Sequence, residues 1–201
     1  MESSVTCGTC QSVNTRSEPF VDLQVHFDEN DRNSPDSLEG MLQRSYADEV
    51  LDKEENLYFC DTCGVKVPLA TKSYKFCKLP QTSLFVTICR FYFNRATVRK
   101  EKLCTPVKVP ETLTIDGQLF KLNGAVVHAG RSSNAGHYYT IAKSGGGGEG
   151  GQERWNLCND SSVSGIGGNR GEQFKIEAYI NKSIGGAFAS DTPYMLSYER
   201  V

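Results

Sequence analysis

The sequence has no excess of charge of either sign: 22 lysines and arginines against 24 aspartates and glutamates leave a formal charge of −2 over 201 residues. That balance removes the electrostatic footprint that nucleic-acid binding needs, and no basic or acidic tail is present. Long apolar runs are missing too. Nothing approaches the ~18 consecutive apolar residues of a membrane span, and the first ten residues have neither a basic n-region nor an apolar h-region. The expectation is a soluble, intracellular protein, cytoplasmic or nuclear, with no membrane or nucleic-acid partner. Histidine is scarce, at 3 residues, so few side chains can move protons near neutral pH.

What remains is ordinary globular composition, 38% hydrophobic and 23% charged, in a length that suits one domain with an appendage. Val21, Leu23, Val25 and Phe27 alternate with polar residues at period two and predict a strand with one buried face. A start signal at Ser37, followed by Leu38, Met41, Leu42 and Val50 on one side, predicts a helix to about Leu51. Residues 57–79 read as two strands joined by a turn at Cys63-Gly64, with Tyr58 and Lys72 to Phe76 on the arms. From residue 82 onward, short β-branched and aromatic runs separated by Pro, Gly and Asn predict an antiparallel sheet. Two glycine-rich segments interrupt it: residues 144–151, a solvent loop between strands, and residues 164–191, whose centre suits a short helix.

The chain carries 8 cysteines, more than a disulfide framework explains in an intracellular chain of this length. Cys7/Cys10 and Cys60/Cys63 are two C-x-x-C pairs. Two intervening residues let both thiolates of a pair reach one ion from a single turn, and two such knuckles complete a tetrahedral Cys₄ zinc site with no open position. Redox C-x-x-C chemistry and accidental spacing are the alternatives, but neither pair sits between a strand and the start of a helix. Residues 11–59 separate the pairs, so the fold must bring them together. Cys77, Cys89 and Cys104 lie in apolar runs that read as strands and are expected to act as small hydrophobes.

Among the histidines, His26 on the first strand and His128 read as structural. His137 follows an Asn-Ala-Gly turn at a strand start, a rigid placement that suits a general base. Such a base needs an acceptor that fixes its tautomer. If HYYTIAKS and ERWNLC pair across the glycine loop, Asn159 or Asp160 falls opposite His137. Asn-Asp-Ser-Ser is equally a plain turn sequence, and the residues alone leave the two readings open.

His128-Ala-Gly-Arg-Ser-Ser-Asn-Ala-Gly-His137-Tyr-Tyr, followed by Trp155-Asn-Leu-Cys-Asn159-Asp160, resembles the histidine box of ubiquitin-specific proteases. Further pieces agree in order: Ser37-Leu38-Glu39 with Leu42, Tyr46, Glu49 and Leu51; Asn56, Tyr58, Cys60 and Cys63; Ala70 and Lys72; Leu79-Pro80; Cys89-Arg90-Phe91; and Pro193-Tyr194-Met195-Leu196 with Tyr198. The resemblance implies an α+β fold with few helices, part of a papain-like hand: zinc fingers over residues 1–78, enclosing the helix 37–51, and an antiparallel palm over residues 79–201. It also implies a cysteine-type deubiquitinase acting on ubiquitin and ubiquitinated proteins. His137 matches the family's general base, Asn159 its orienting residue and Asp160 an adjacent position sometimes given a catalytic role. Phe91 and Tyr138 match substrate-binding positions, and Cys7, Cys10, Cys60 and Cys63 the structural Zn²⁺ site.

The family's nucleophile box, of the form GNTCYMN, has no counterpart in these residues, so no nucleophile is assigned. The expectation is that the N-terminal thumb bearing it is missing from this sequence and that the isolated chain is inactive. A different reading is a non-catalytic ubiquitin-binding or scaffold protein of the same fold. A zinc-ribbon interaction module would leave the histidine box unexplained.

Overall fold

Short runs of β-branched and aromatic residues, each closed by Gly, Pro, Asn or Asp, fold as strands whose backbone groups are satisfied by lateral pairing. The structure is a computed structural model describing residues 1–144, 154–166, 176–181 and 190–201. In chain order come β1 (Glu2–Thr6), β2 (Val13–Ser17), β3 (Asp22–Val25), the two-residue β4 (Asp36–Ser37) and helix α1 (Leu38–Ser45). Then follow β5 (Glu49–Leu51), β6 (Tyr58–Cys60), β7 (Val65–Val67), β8 (Ala70–Lys75), β9 (Ser83–Ile88), β10 (Phe91–Asn94) and β11 (Arg99–Lys102). The rest comprises β12 (Val107–Lys108), β13 (Thr112–Ile115), β14 (Gln118–Ala129), β15 (His137–Ser144), β16 (Arg154–Asn159), β17 (Ser162–Ile166), the helical turn α2 (Ile176–Tyr179) and β18 (Asp191–Arg200). The fold is mostly β, with few helices and largely antiparallel sheets, as the sequence patterning predicts.

Two compact units form, one from Met1–Val21 with Leu42–Leu79 and the other from Asp22–Met41 with Pro80–Val201. The division at Leu79/Pro80 lies one residue from the expected boundary, but Asp22–Met41, expected in the first part, belong to the second unit, where β3 pairs with β9.

In the first unit an antiparallel sheet has the order β2-β1-β8-β5, and β6 and β7 form a separate hairpin. Cys7, Cys60, Val67 and Ala70 make its buried centre, with Val5, Leu51 and Tyr58 packed against it. Two expectations are corrected here. The predicted helix to Leu51 stops at Ser45, because Glu49, Val50 and Leu51 pair with Lys72, Thr71 and Ala70 of β8. That pairing seats Leu51 against the buried centre and leaves Val50 half exposed. Lys72 to Phe76, expected on the arm of the C-x-x-C hairpin, instead lie on or just beyond β8, which pairs with β1 and β5. The predicted start signal is present: Ser37 Oγ accepts the Gly40 N–H at 3.1 Å.

In the second unit an eight-stranded sheet runs β17-β16-β15-β14-β18-β9-β3, with β13 also on β14. Its neighbours are antiparallel except β3 and β9, which run parallel. Leu23, Val25 and Phe27 are buried as their alternation predicts, whereas Val21 is 85% exposed, one residue before β3 begins. Leu84, Val86, Ile88, Phe120, Leu122, Val127, Ile141 and Leu196 fill the core, each contributing roughly 1.5–3 kcal/mol by leaving water. Arg90 is fully buried among them. Its Nε donates to Pro193 O at 2.7 Å and its Nη1 to Leu103 O and Thr105 O at 3.0 and 2.9 Å. The guanidinium lies over the Phe27 ring, and burial pulls its pKa down to about 10. A planar fork presents separate donors, Nε and Nη1, to carbonyls on two sides of a strand corner at once.

Of the two glycine-rich segments, the first lies mostly outside the described residues. Of the second, β17 reaches Ile166 and α2 supplies the short helix expected near its centre.

Candidate active site and metal centre

The two C-x-x-C turns meet. Sγ atoms of Cys7, Cys10, Cys60 and Cys63 all lie within 4.8 Å of one another. Cys7 Sγ is 3.9 Å from Cys63 Sγ, and Cys10 Sγ is 3.6 Å from Cys60 Sγ. A tetrahedron of four bonds of about 2.3 Å has edges of about 3.8 Å, so the thiols already stand at the spacing a tetrahedral ion requires. Backbone N–H groups of Thr9 and Cys10 both donate to Cys7 Sγ at 3.4 Å, the kind of outer support that holds a ligating thiolate in place. At the other knuckle Gly64, at φ +71°, takes a left-handed turn that a side chain would strain, and its N–H bonds Cys60 O at 2.8 Å.

Four thiols this close cannot all ionise without a cation. Ser12, through its hydroxyl, is the chief influence bringing Cys60 down to about 6, while Cys10 pushes Cys63 up to about 12. The four thiols form a group that could hold a metal ion, and a cation there would remove this conflict. Ser12 was not a candidate in the sequence; its place two residues after Cys10 was the available signal.

In the second unit the hairpin of β15 and β16 forms as its residues predict, with Thr140 opposite Cys158 and Ser144 opposite Arg154. Side chains alternate along a strand, so His137 and Tyr139 share a face with Asn159 while Cys158 points to the other. His137 Nε2 is hydrogen-bonded to Asn159 Oδ1. The amide oxygen can only accept, so Nε2 carries the proton and Nδ1 keeps its lone pair. Asp160 stands further off, its Oδ2 3.8 Å from His137 Nε2, in a turn at φ 50°. No cysteine is hydrogen-bonded to His137 among the described residues.

His128 pairs with Tyr138 and therefore faces the opposite side of the sheet from His137. Its ring lies 4.8 Å from that of Tyr138 and 5.3 Å from that of Phe91; Tyr194 touches both Phe91 and Tyr138 at 5.8 Å. Phe91 and Tyr138, the candidate substrate-binding residues, thus belong to one group of rings at the sheet end where β15 begins. His128 is buried, with Nδ1 unpartnered, and burial holds its pKa below the usual histidine value. Gly136 makes room for it: a Cβ there would fall 2.1 Å from His128 Nε2.

The remaining cysteines correct an expectation. Cys77 is exposed and donates to Glu2 at 2.8 Å, and Cys89 and Cys104 are only half-buried; none of the three lies within a strand.

The chain as a whole is similar to known proteins. The model of one family, described as ubiquitin carboxyl-terminal hydrolase, matches residues 1–198. The chain belongs to the ubiquitin carboxyl-terminal hydrolase family. Ubiquitin carboxyl-terminal hydrolase 4 of Arabidopsis thaliana is 28% identical over 99% of this chain and 51% of its own length. Probable ubiquitin carboxyl-terminal hydrolase creB of Aspergillus niger is 30% identical over 99% of this chain and 24% of its own. Among solved structures, a chain of the SAGA Ubp8/Sgf11/Sus1/Sgf73 DUB module bound to ubiquitin aldehyde superposes with a TM-score of 0.70 at 25% identity, covering 100% of this chain and 40% of that one. The chain thus spans about half, or less, of the length of the ubiquitin carboxyl-terminal hydrolases it matches.

Proposed function

We propose that this chain supplies the general base of a cysteine-type deubiquitinase, with the nucleophilic cysteine coming from residues beyond these 201. The observation that carries the reading is the His137–Asn159 pair, which leaves Nδ1 of a fixed imidazole free to accept a proton. Family membership supports the reaction class. A thiol presented to Nδ1 would lose its proton to His137, and the thiolate would attack the carbonyl carbon of ubiquitin's C-terminal glycine, breaking the amide bond that follows it. His137 then returns the proton to the departing amine, and water attacks the thioester with His137 again taking the proton. Asn159 holds the ring throughout, and Asp160 at 3.8 Å is a second acceptor for it. Phe91 and Tyr138 would flank the extended ubiquitin tail.

The first unit takes the part of the zinc fingers and the second that of the palm in a papain-like hand. Zn²⁺ is the ion that suits four thiolates at tetrahedral spacing, and with no open position it acts structurally. The compartment proposed is the cytoplasm or nucleus, where thiols stay reduced and available as metal ligands.

The test is turnover of a ubiquitin-amide reporter by the full-length protein and by the 201-residue chain alone. The full-length protein is expected to be active and the chain alone inactive. An inactive full-length protein that still binds ubiquitin would favour the scaffold reading.

A further inference from the structure

Lys102, the last residue of β11, is a polar strand residue that neither the metal centre nor the proposed chemistry employs. Its ammonium donates to three backbone carbonyls: His128 O at 2.9 Å, Gly130 O at 2.6 Å and Ser190 O at 2.7 Å. Three donors meet three acceptors, so the group is saturated. It is also drawn out of water, which lowers its pKa from the usual lysine value. Burying an ammonium costs free energy that carbonyl dipoles offset only when they converge. A lysine placed merely for solubility would stay in solvent.

The three carbonyls mark one joint. His128 and Gly130 belong to the end of β14 and the first residue of the 130–136 loop, and Ser190 directly precedes β18. Gly130 takes φ +134° there and its N–H bonds Ser190 O at 3.3 Å. The loop then delivers the chain to His137. A second contact ties it to the same strand: Ser133 Oγ donates to Lys100 O at 2.8 Å. β11 is thus the template against which the loop is laid down.

We propose that Lys102 is a positioning residue for His137, fixing the entry of the loop so that β15 begins with the imidazole at Asn159. This rests on the reading of His137 as the base. The mechanism is geometric: a change in the loop entry moves the ring relative to its acceptor, and a displacement of about 1 Å at a reacting group costs on the order of a hundredfold in rate.

The experiment uses full-length protein carrying nitrogen-labelled histidine, with Lys102→Met, Lys102→Gln and Lys102→Arg. In the unsubstituted protein His137 should show one tautomer, protonated at Nε2. Lys102→Met and Lys102→Gln should shift its nitrogens towards tautomer-averaged values. Their kcat on a ubiquitin reporter should fall at least about tenfold with KM little changed, and Lys102→Arg should recover part of the loss. Unchanged His137 signals and kcat in a folded variant would overturn the proposal, as would a rise in KM alone. Loss of folding in both the Met and Gln variants would overturn it too, since the clamp would then serve stability and not placement. The nitrogen signals need no turnover, so a failure of His137 as base, seen as an active His137→Ala protein, is distinguishable from a failure of the clamp.

Discussion

Cys10 Sγ lies 3.6 Å from Cys60 Sγ although 50 positions separate the two residues in sequence. No local preference holds them there; the fold alone brings four thiols to the spacing of a tetrahedral site. The protein should therefore contain one equivalent of zinc, measurable by metal analysis. Cys60→Ser should abolish it, and a chelator should lower Tm and unfold the first unit, because the ion's binding free energy is part of its folding free energy. Purified protein without metal, or full zinc content in Cys60→Ser, would show the cluster to be thiols alone.

His137 and Asn159 have unequal tasks. In full-length protein His137→Ala should lower kcat by at least about a thousandfold, the upper part of the range for a lost acid–base group, while ubiquitin binding is retained. Asn159→Ala should cost less, about tenfold to a hundredfold, because Asp160 Oδ2 already stands 3.8 Å from the ring. An Asn159→Ala/Asp160→Ala double variant should then approach His137→Ala. Additive, small effects of the two acceptors would sink this assignment of roles.

Gly136 is predicted to tolerate no side chain. A Cβ would stand 2.1 Å from His128 Nε2 and 2.7 Å from Ala129 O, so Gly136→Ala should destabilise by about 1–3 kcal/mol. In a His128→Ala background the penalty should shrink but not vanish, since the Ala129 carbonyl remains. A double-mutant cycle by denaturant unfolding reads this coupling; zero coupling would mean the loop moves aside freely.

His128 should also imprint a pH dependence on stability. Burial is the first cause lowering its folded-state pKa below the usual histidine value of about 6.5, so the unfolded chain binds the proton more readily. The contribution is complete above about 6.5 and is lost as pH falls through the folded value. His128→Gln should flatten that part of the stability profile between pH 5 and 7. A profile unchanged by the substitution would exclude His128 as its source.

Arg90 is fully buried, and the hydrogen bonds it makes among the described residues all go to backbone carbonyls. Arg90→Met should destabilise by at least about 2 kcal/mol, because three buried carbonyls lose their donor, and Arg90→Lys should not restore it, because lysine has no second nitrogen to replace Nε at Pro193 O while another serves Leu103 O and Thr105 O. Equal stability of the Lys variant, by thermal unfolding, would show that charge alone suffices.

The residues that local spacing governs were legible in the sequence. Two C-x-x-C turns each fix their own pair of thiols, and period-two alternation buries Leu23, Val25 and Phe27. The residues alone leave open whether HYYTIAKS and ERWNLC pair and whether Asn159 or Asp160 faces His137; the folded hairpin sets Thr140 opposite Cys158 and so Asn159 on the face of His137. Other features depend on groups distant in the chain, and only the tertiary structure decided them. Val50 and Leu51 continue an apolar helical stripe, yet β8 offers unpaired backbone and a buried seat for Leu51, and a strand wins. Residues 89–90 break the run from 82 to 93 because Arg90 turns inward to carbonyls 13, 15 and 103 positions away. Lys102 looks like any surface lysine in a polar strand, for its three acceptors lie 26, 28 and 88 positions downstream. Hydrogen-bond partners of that kind leave no periodic trace, because a carbonyl oxygen is the same in every residue and only the folded chain brings three of them to one point.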